Sequence, residues 1–215
     1  MNSFLIFASL VFGQKTFAEP LNIEDCKLSL KKYHDTGKYY KEISQITYQI
    51  EQYINEKTAV KSNKKYALVL DIDETSLSNY QNIVKREFSN DKDRIHNDIL
   101  KADATAITPI KKLFDYAKEH NVNVFFITGR YLSEKEATIK NLHSQGYSGW
   151  KAIFFRTDNA GLGSKFLKKD KASIRKHIMQ QGYEILATVG DQESDLIGGY
   201  AQKTFKLPNP FYKAI

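Results

Sequence analysis

Three short stretches of this 215-residue chain put acidic and hydroxyl side chains where they could act together. The first is Asp-Ile-Asp-Glu-Thr at 71–75, the second Thr-Gly-Arg at 128–130, and the third Gly-Asp-Gln-Glu-Ser-Asp at 190–195. Each directly follows an apolar run. Asp71 and Asp73 are two residues apart, so in extended geometry their side chains share a side. Asp71 is the first polar group after its run, and a carboxylate there is placed to attack an electrophilic phosphorus and form an aspartyl-phosphate. Asp73 would protonate the leaving oxygen and later deprotonate water. Asp191 and Asp195 bring the acids to four, and like charges that close cannot all stay ionised without a cation. A hard divalent ion with oxygen ligands answers this, and Mg²⁺ keeps places for water and a substrate phosphate. Asp71, Asp73, Asp191 and Asp195 together are the candidate acids for such a site. Thr128 offers a hydroxyl, and Thr128 and Gly129 offer backbone N–H groups, to the phosphate charge. A lysine is also needed; the segment 165–171 supplies Lys165, Lys168, Lys169 and Lys171, and spacing alone does not choose among them. Each tripeptide alone would serve equally as a turn or cap. Their occurrence together, in order, at successive run ends carries the inference.

The elements that must hold these groups are legible as a change of pattern. Residues 66–70, 122–127, 152–155 and 185–189 are continuous apolar runs, as in parallel strands buried on both faces. Helix-like stretches at 109–119, 134–145 and 169–181 alternate with them, which predicts βαβ units. In such open sheets ligands bind beyond the carboxyl ends of the strands. The predicted fold class is therefore α/β, a Rossmann-like parallel sheet with helices on both faces. Residues 21–58 form an N-terminal helical extension broken at Gly37. Ile43, Ile46, Ile50, Tyr53 and Ile54 share one of its faces, and the tyrosines at 33, 39, 40, 48 and 53 read as core packing. Residues 76–107 are polar and longer than an ordinary loop, which predicts a small cap inserted over the carboxyl edge of the sheet. Its Tyr80, Phe88, Arg94 and His96 are candidates to meet substrate.

Composition narrows the class. With 41% hydrophobic and 13% aromatic residues the chain has material for a core, and wholesale disorder is excluded. A lone cysteine, Cys26, excludes an intrachain disulfide framework and any multi-cysteine zinc site; it reads as packing, like the five scattered histidines. The net charge of +7 comes from lysines spread along the chain with no basic arm. It reads as a solvated surface that steers anionic small molecules, not as a nucleic-acid interface. Residues 4–12 are almost wholly apolar, too short for a membrane span of about 20 residues and suited to a secretory h-region. Thr-Phe-Ala at 16–18 offers a cleavage site, so 1–18 is read as a signal peptide and 19–215 as a single exported domain. The competing reading of the run is a buried strand. No second stretch reaches membrane length, and no stable membrane anchor is expected.

These residues together resemble the haloacid dehalogenase superfamily of phosphohydrolases, and within it the subfamily IIIB acid phosphatases: bacterial class C enzymes and plant vegetative storage protein phosphatases. The resemblance is carried by Asp-Ile-Asp-Glu-Thr-Ser-Leu-Ser-Asn-Tyr at 71–80, Ile-Thr-Gly-Arg at 127–130, Val-Gly-Asp-Gln-Glu-Ser-Asp-Leu at 189–196 and Thr-Phe-Lys-Leu-Pro-Asn-Pro-Phe-Tyr at 204–212. Cys26, Tyr33, Gly37 and Tyr39 extend it to the N-terminal helices. It implies Asp71 as nucleophile and metal ligand, and Asp73 as general acid and base with its carbonyl on the metal. It implies Thr128 on the phosphate, Asp191 as a magnesium ligand and Asp195 as the acid completing the site. It selects Lys171, since 171–175 resembles the family's Lys-Ser-x-Arg run. One departure is Ile99, near where the family's cap often carries an aromatic, so a nucleobase clamp is not implied. The implied function is a Mg²⁺-dependent acid phosphatase acting on small phosphomonoesters, periplasmic or secreted, and a homo-oligomer is compatible with it. The alternative is a catalytically weak or inactive exported storage or binding protein on the same fold; the presence of Asp71 argues against it.

Overall fold

The computed structural model of the protein describes residues 20–157 and 164–213, with the backbone alone for 164–170. The expected signal segment at 1–18 lies outside the described residues.

Two helices open the described chain: α1 (Ile23–Asp35) and α2 (Lys38–Thr58). Asn22 caps α1 by accepting from the Glu24 amide. Gly37 sits between them at φ 79°, a left-handed conformation that glycine adopts without steric cost. Along α2 the residues Tyr39, Ile43, Thr47, Ile50, Tyr53 and Ile54 are buried, the spacing of one helix face. Tyr48 departs from the expected core stripe. It falls on the opposite face and is 61% exposed.

The chain then enters β1 (Lys65–Leu70) and reaches an excursion of two short strands and two helices: β2 (Leu77–Ser78), α3 (Tyr80–Lys85), α4 (Lys92–Lys101) and β3 (Thr105–Ala106). β2 and β3 pair antiparallel, so the excursion leaves and returns at one place. Asn141 fixes the return: its amide donates to the Ala104 carbonyl and its carbonyl accepts from the Ala104 N–H. The regular alternation follows: α5 (Thr108–Glu119), β4 (Asn123–Tyr131), a 3₁₀ turn (Leu132–Glu134), α6 (Lys135–Ser144), β5 (Ala152–Arg156), α7 (Ser164–Gln180), β6 (Tyr183–Gly190), α8 (Glu193–Leu196) and β7 (Lys203–Lys206).

The main sheet has five strands in the order β5-β4-β1-β6-β7, and every pairing in it is parallel. β1 is central, which is why its 66–70 run has no polar interruption. Alternate residues of β1 enter different cores. Leu68 and Leu70 pack in one with Tyr39, Ile50, Leu113 and Phe114 from α2 and α5; Ala67 and Val69 pack in the other with Ile178 of α7. Helices thus cover both faces, as the alternation predicted. Two differences from the sequence reading concern strands. β4 continues through Thr128 to Tyr131, with a register shift against β5 after Ile127. β7 was not expected: Lys-Thr-Phe-Lys is a short, polar edge strand with no apolar run to mark it.

Candidate active site

The parallel topology brings the ends of β1, β4 and β6 to one edge, with Leu70 beside Phe126 and Val189. Asp71 follows β1 directly and is held in line with β6 by its N–H donating to the Val189 carbonyl at 3.0 Å. Asp191 and Asp195 lie just past β6. Ligand oxygens of Asp71, Asp191 and Asp195 fall within 4.8 Å of one another, and all three residues are buried.

Lys171 from α7 reaches into this group. Its Nζ donates to Asp71 Oδ1 at 2.6 Å and to Asp195 Oδ1 at 2.5 Å. Of the lysines the sequence left open, Lys171 is the one described at the site; the side chains at 165, 168 and 169 are outside the described ones. Burial alone would lower the Lys171 pKa, but the carboxylates of Asp195 and Asp71 outweigh it and hold the ammonium charged. Three carboxylates then face one ammonium. The result is visible on the acids. Burial, joined by the charges of Asp195, Asp191 and Asp73, raises Asp71 well above the ordinary carboxylate range despite Lys171. Burial and Asp195 push Asp191 up to about 6, although Asn209 and Gln192 donate to it. A buried all-oxygen donor set with surplus negative charge fits a hard divalent cation.

The supports of this trio are local. A Cβ on Gly190 would stand 2.2 Å from Asp195 Cβ, so only glycine lets that carboxylate fold back under the strand end. There its Oδ2 accepts from the Gln192 N–H at 2.8 Å. The fully buried Arg175 ties down the same loop, donating to the carbonyls of Asp195, Ile197 and Gly199. Asp191 accepts from Thr75 Oγ1 at 3.1 Å, Gln192 Nε2 at 2.5 Å and Asn209 Nδ2 at 2.7 Å.

The carboxylate of Asp73 stands outside the trio. Arg130 grips it with Nε on both oxygens at 3.1 Å and Nη2 on Oδ1 at 2.7 Å, and Asn79 Nδ2 donates to Oδ1 at 2.8 Å. Burial works against the charge, but Arg130 and Asn79 outweigh it and hold Asp73 below the ordinary carboxylate range. Next to it Glu74 is buried at φ 50°. It accepts from the Asn79 N–H at 2.6 Å and from the Tyr212 hydroxyl at 2.8 Å. Burial, Asp73 and Asp191 push it up to about 8. Thr128 is buried within β4, at the point where its register against β5 shifts, its hydroxyl oxygen accepting from the Arg130 N–H at 3.1 Å. Gly129 is half-buried, and a Cβ there would meet no atom of the protein within 4 Å.

The sequence reading named Asp71, Asp73, Thr128, Gly129, Lys171, Asp191 and Asp195, and the structure places all of them at this edge. It did not assign roles to Arg130, Asn79, Glu74, Asn209 or Tyr212. The signal for each was its place inside a quoted motif. Among the cap candidates, Tyr80 stacks on His34 with ring centroids 3.4 Å apart, Arg94 is exposed, and His96 Nδ1 lies 2.7 Å from Glu134. Phe88 alone of the four lines a cavity beside Asp73.

The fold is that of the haloacid dehalogenase (HAD) superfamily. It matches the class C acid phosphatase from Bacillus anthracis with a TM-score of 0.73, covering 89% of this chain and 86% of that one at 22% identity. Within that class the chain belongs to the HAD superfamily, subfamily IIIB (Acid phosphatase), whose family model matches residues 10–215. It is similar to the stem 28 kDa glycoprotein of Glycine max, 28% identical over 94% of this chain and 78% of the relative. It is also similar to acid phosphatase 1 of Solanum lycopersicum, 27% identical over 88% and 74%. Vegetative storage protein 2 of Arabidopsis thaliana is 26% identical over 87% and 71%. Family membership makes the chain a phosphatase, a phosphomonoester hydrolase. Among the described residues no helix is long and apolar enough to cross a membrane.

Proposed function

We propose that the protein is a Mg²⁺-dependent acid phosphatase that hydrolyses small phosphomonoesters through an aspartyl-phosphate on Asp71. The observation that carries this reading is the Asp71 carboxylate at the end of the central strand, 2.6 Å from Lys171, with Asp191 and Asp195 beside it. Asp71 Oδ forms the bond to phosphorus while the bond to the ester oxygen breaks. Asp73 gives that oxygen its proton, and the alcohol leaves. Asp73 then takes a proton from water as the water oxygen attacks phosphorus, and Asp71 is released with inorganic phosphate. Lys171, Thr128 and the backbone at Gly129 would offset the charge of the transferring group. Asp71, Asp191, Asp195 and the Asp73 carbonyl would hold the cation. Its chemistry there is to neutralise phosphate oxygens and screen the acids from one another.

Residues 76–107 act in this reading as a cap on the leaving-group side, and residues 1–18 as an export signal for the 19–215 domain, in keeping with a secreted or periplasmic enzyme. The test is hydrolysis of p-nitrophenyl phosphate at acidic and neutral pH, with Mg²⁺ and with EDTA, beside Asp71→Asn. Turnover is expected only with metal and Asp71 present, and Asp71→Asn should lose at least about a thousandfold while its circular dichroism stays unchanged. Activity retained by that variant removes the covalent mechanism. A second reading, a storage or binding protein, is favoured by the similarity to vegetative storage protein 2. Its signature is inactivity of the metal-loaded protein across a broad ester panel.

A further inference from the structure

Asp73 and Glu74 form part of the wall of a cavity of about 130 Å³. The rest of that wall comes from segments distant in sequence: Ile83 on α3, Phe88 in the following loop, Ile95 and Ile99 on α4, and Phe211 near the C-terminus. These five apolar side chains set its character. The charged groups that border it are already paired. Arg86 Nη1 donates to Asp98 at 2.8 Å and its Nε to the Ser89 carbonyl at 3.0 Å, while Lys101 also donates to Asp98 at 2.6 Å. The Tyr212 hydroxyl is committed to Glu74. The cavity therefore presents mainly hydrocarbon, with Asp73 and Glu74 in its wall and Asn79, Ser89 and Asn90 as its neutral polar neighbours.

We propose that this cavity receives the alcohol half of the ester and selects a compact, uncharged, apolar leaving group, such as a single aryl ring, over a nucleoside or a group bearing a second phosphate. The inference rests on the phosphatase reading above and names the substrate class of that site. A general acid must lie within hydrogen-bond reach of the oxygen it protonates, so the leaving group sits against the Asp73 carboxylate, and Asp73 is part of the wall of this partly open cavity. Its size sets the limit: an apolar cavity of about 150 Å³ holds one benzene molecule, and a base joined to a ribose is more than twice as large as benzene. Its chemistry agrees, because among the described residues that line it the one cation, Arg86, is already paired, and most of its exposed wall is apolar. Ile99 lines the cavity and is 8% exposed. Phe88 is turned inward from a loop in which it and Glu87 both hold left-handed conformations, φ 59° and 55°. Non-glycine residues take such conformations mainly where surrounding structure imposes them.

The experiment compares kcat/KM for benzyl phosphate, 5′-AMP and glycerol 3-phosphate with Mg²⁺ present. All three have alkyl leaving oxygens of similar basicity, so intrinsic reactivity does not decide the order. Benzyl phosphate is expected to lead both others by at least about tenfold, the scale of a filled against an unfilled apolar pocket. Ile99→Phe, which fills the cavity, should lower the benzyl-to-glycerol ratio by a similar factor. Phe88→Ala, which opens it, should lower the benzyl-to-AMP ratio. Ratios near one, a lead for 5′-AMP, or ratios that neither variant moves overturn the inference and leave the phosphatase reading standing. Hydrolysis of none of the three by the wild-type protein overturns the phosphatase reading, and this inference with it.

Discussion

Arg130 sets the terms on which Asp73 can work. Three contacts from one guanidinium and a fourth from Asn79 favour the ionised carboxylate, although burial opposes it. In the proposed reaction Asp73 is the general acid, and held in that state it would be protonated only in acidic solution, so the Arg130 grip and an acidic optimum would belong together. Removing the cation while keeping the bulk should raise the Asp73 pKa and leave its proton in place at higher pH. For Arg130→Met the expected outcome is a pH optimum displaced upward by about one unit, the size of shift an adjacent opposite charge commonly produces. A fall in kcat from lost orientation should accompany it. A pH profile of kcat/KM from about pH 4 to 8 reads this directly. An unmoved optimum with only a lowered kcat would show that Arg130 orients Asp73 without tuning it. The positions of Asp71, Lys171, Asp191 and Asp195 at one sheet edge were legible in the sequence because each ends or precedes a recognisable run. The Arg130 contact was not, because its partner is 57 residues away and nothing local to Thr-Gly-Arg announces an ion pair.

The element that contributes most beyond expectation is the chain after β7. Leu207 donates its N–H to the Gly190 carbonyl at 2.9 Å and is fully buried, which fixes the tail against the end of β6. Asn209 then accepts from the Phe211 N–H at 2.9 Å while donating to Asp191. Phe211 packs edge-on against Tyr39 and beside Tyr80. Pro208 and Pro210 flank Asn209 and restrict the backbone that aims it. The tail thus links Tyr39 of α2, Tyr80 of α3 and the buried Asp191. The family resemblance of 204–212 was readable, but its purpose was not, since β7 has no apolar run and Asn209 lies 18 residues beyond the group it orients. Asn209→Ala is expected to weaken Mg²⁺ binding by about tenfold, within the range found when the partner of a metal ligand is removed. Titration calorimetry on the Asn209→Ala protein measures it, and Asn209→Ser should recover part of the loss. Unchanged affinity in Asn209→Ala would reduce the tail to a packing element.

At the scale of the whole molecule, a chain of net charge +7 carries surplus negative charge at one buried point, and that contrast makes stability depend on pH and metal together. Asp191 titrates at about 6 in the fold, against an ordinary 3.8. Between those values the folded state keeps a proton that the unfolded chain has lost, so stability falls as pH rises. Glu74, pushed from 4.5 to about 8, has the same sign and extends the window to about pH 8. Asp73 has the opposite sign: its paired charge stabilises the fold above the ordinary carboxylate value and is lost as pH drops below it. Without divalent ions the melting temperature is therefore expected to decline from about pH 5 to 8. A bound cation takes the place of the retained protons. An ion that binds only the folded state adds about 2.7 kcal/mol at a hundredfold excess over its Kd, and its affinity grows as the acids ionise. The rise in melting temperature on adding Mg²⁺ should accordingly be small near pH 5 and largest near pH 8, and Asp191→Asn should remove most of the Mg²⁺ effect but only part of the metal-free slope, to which Glu74 contributes more. Thermal denaturation in EDTA and in Mg²⁺ across that range decides the matter. A Mg²⁺ shift of equal size at every pH would mean that the ion binds away from the buried acids.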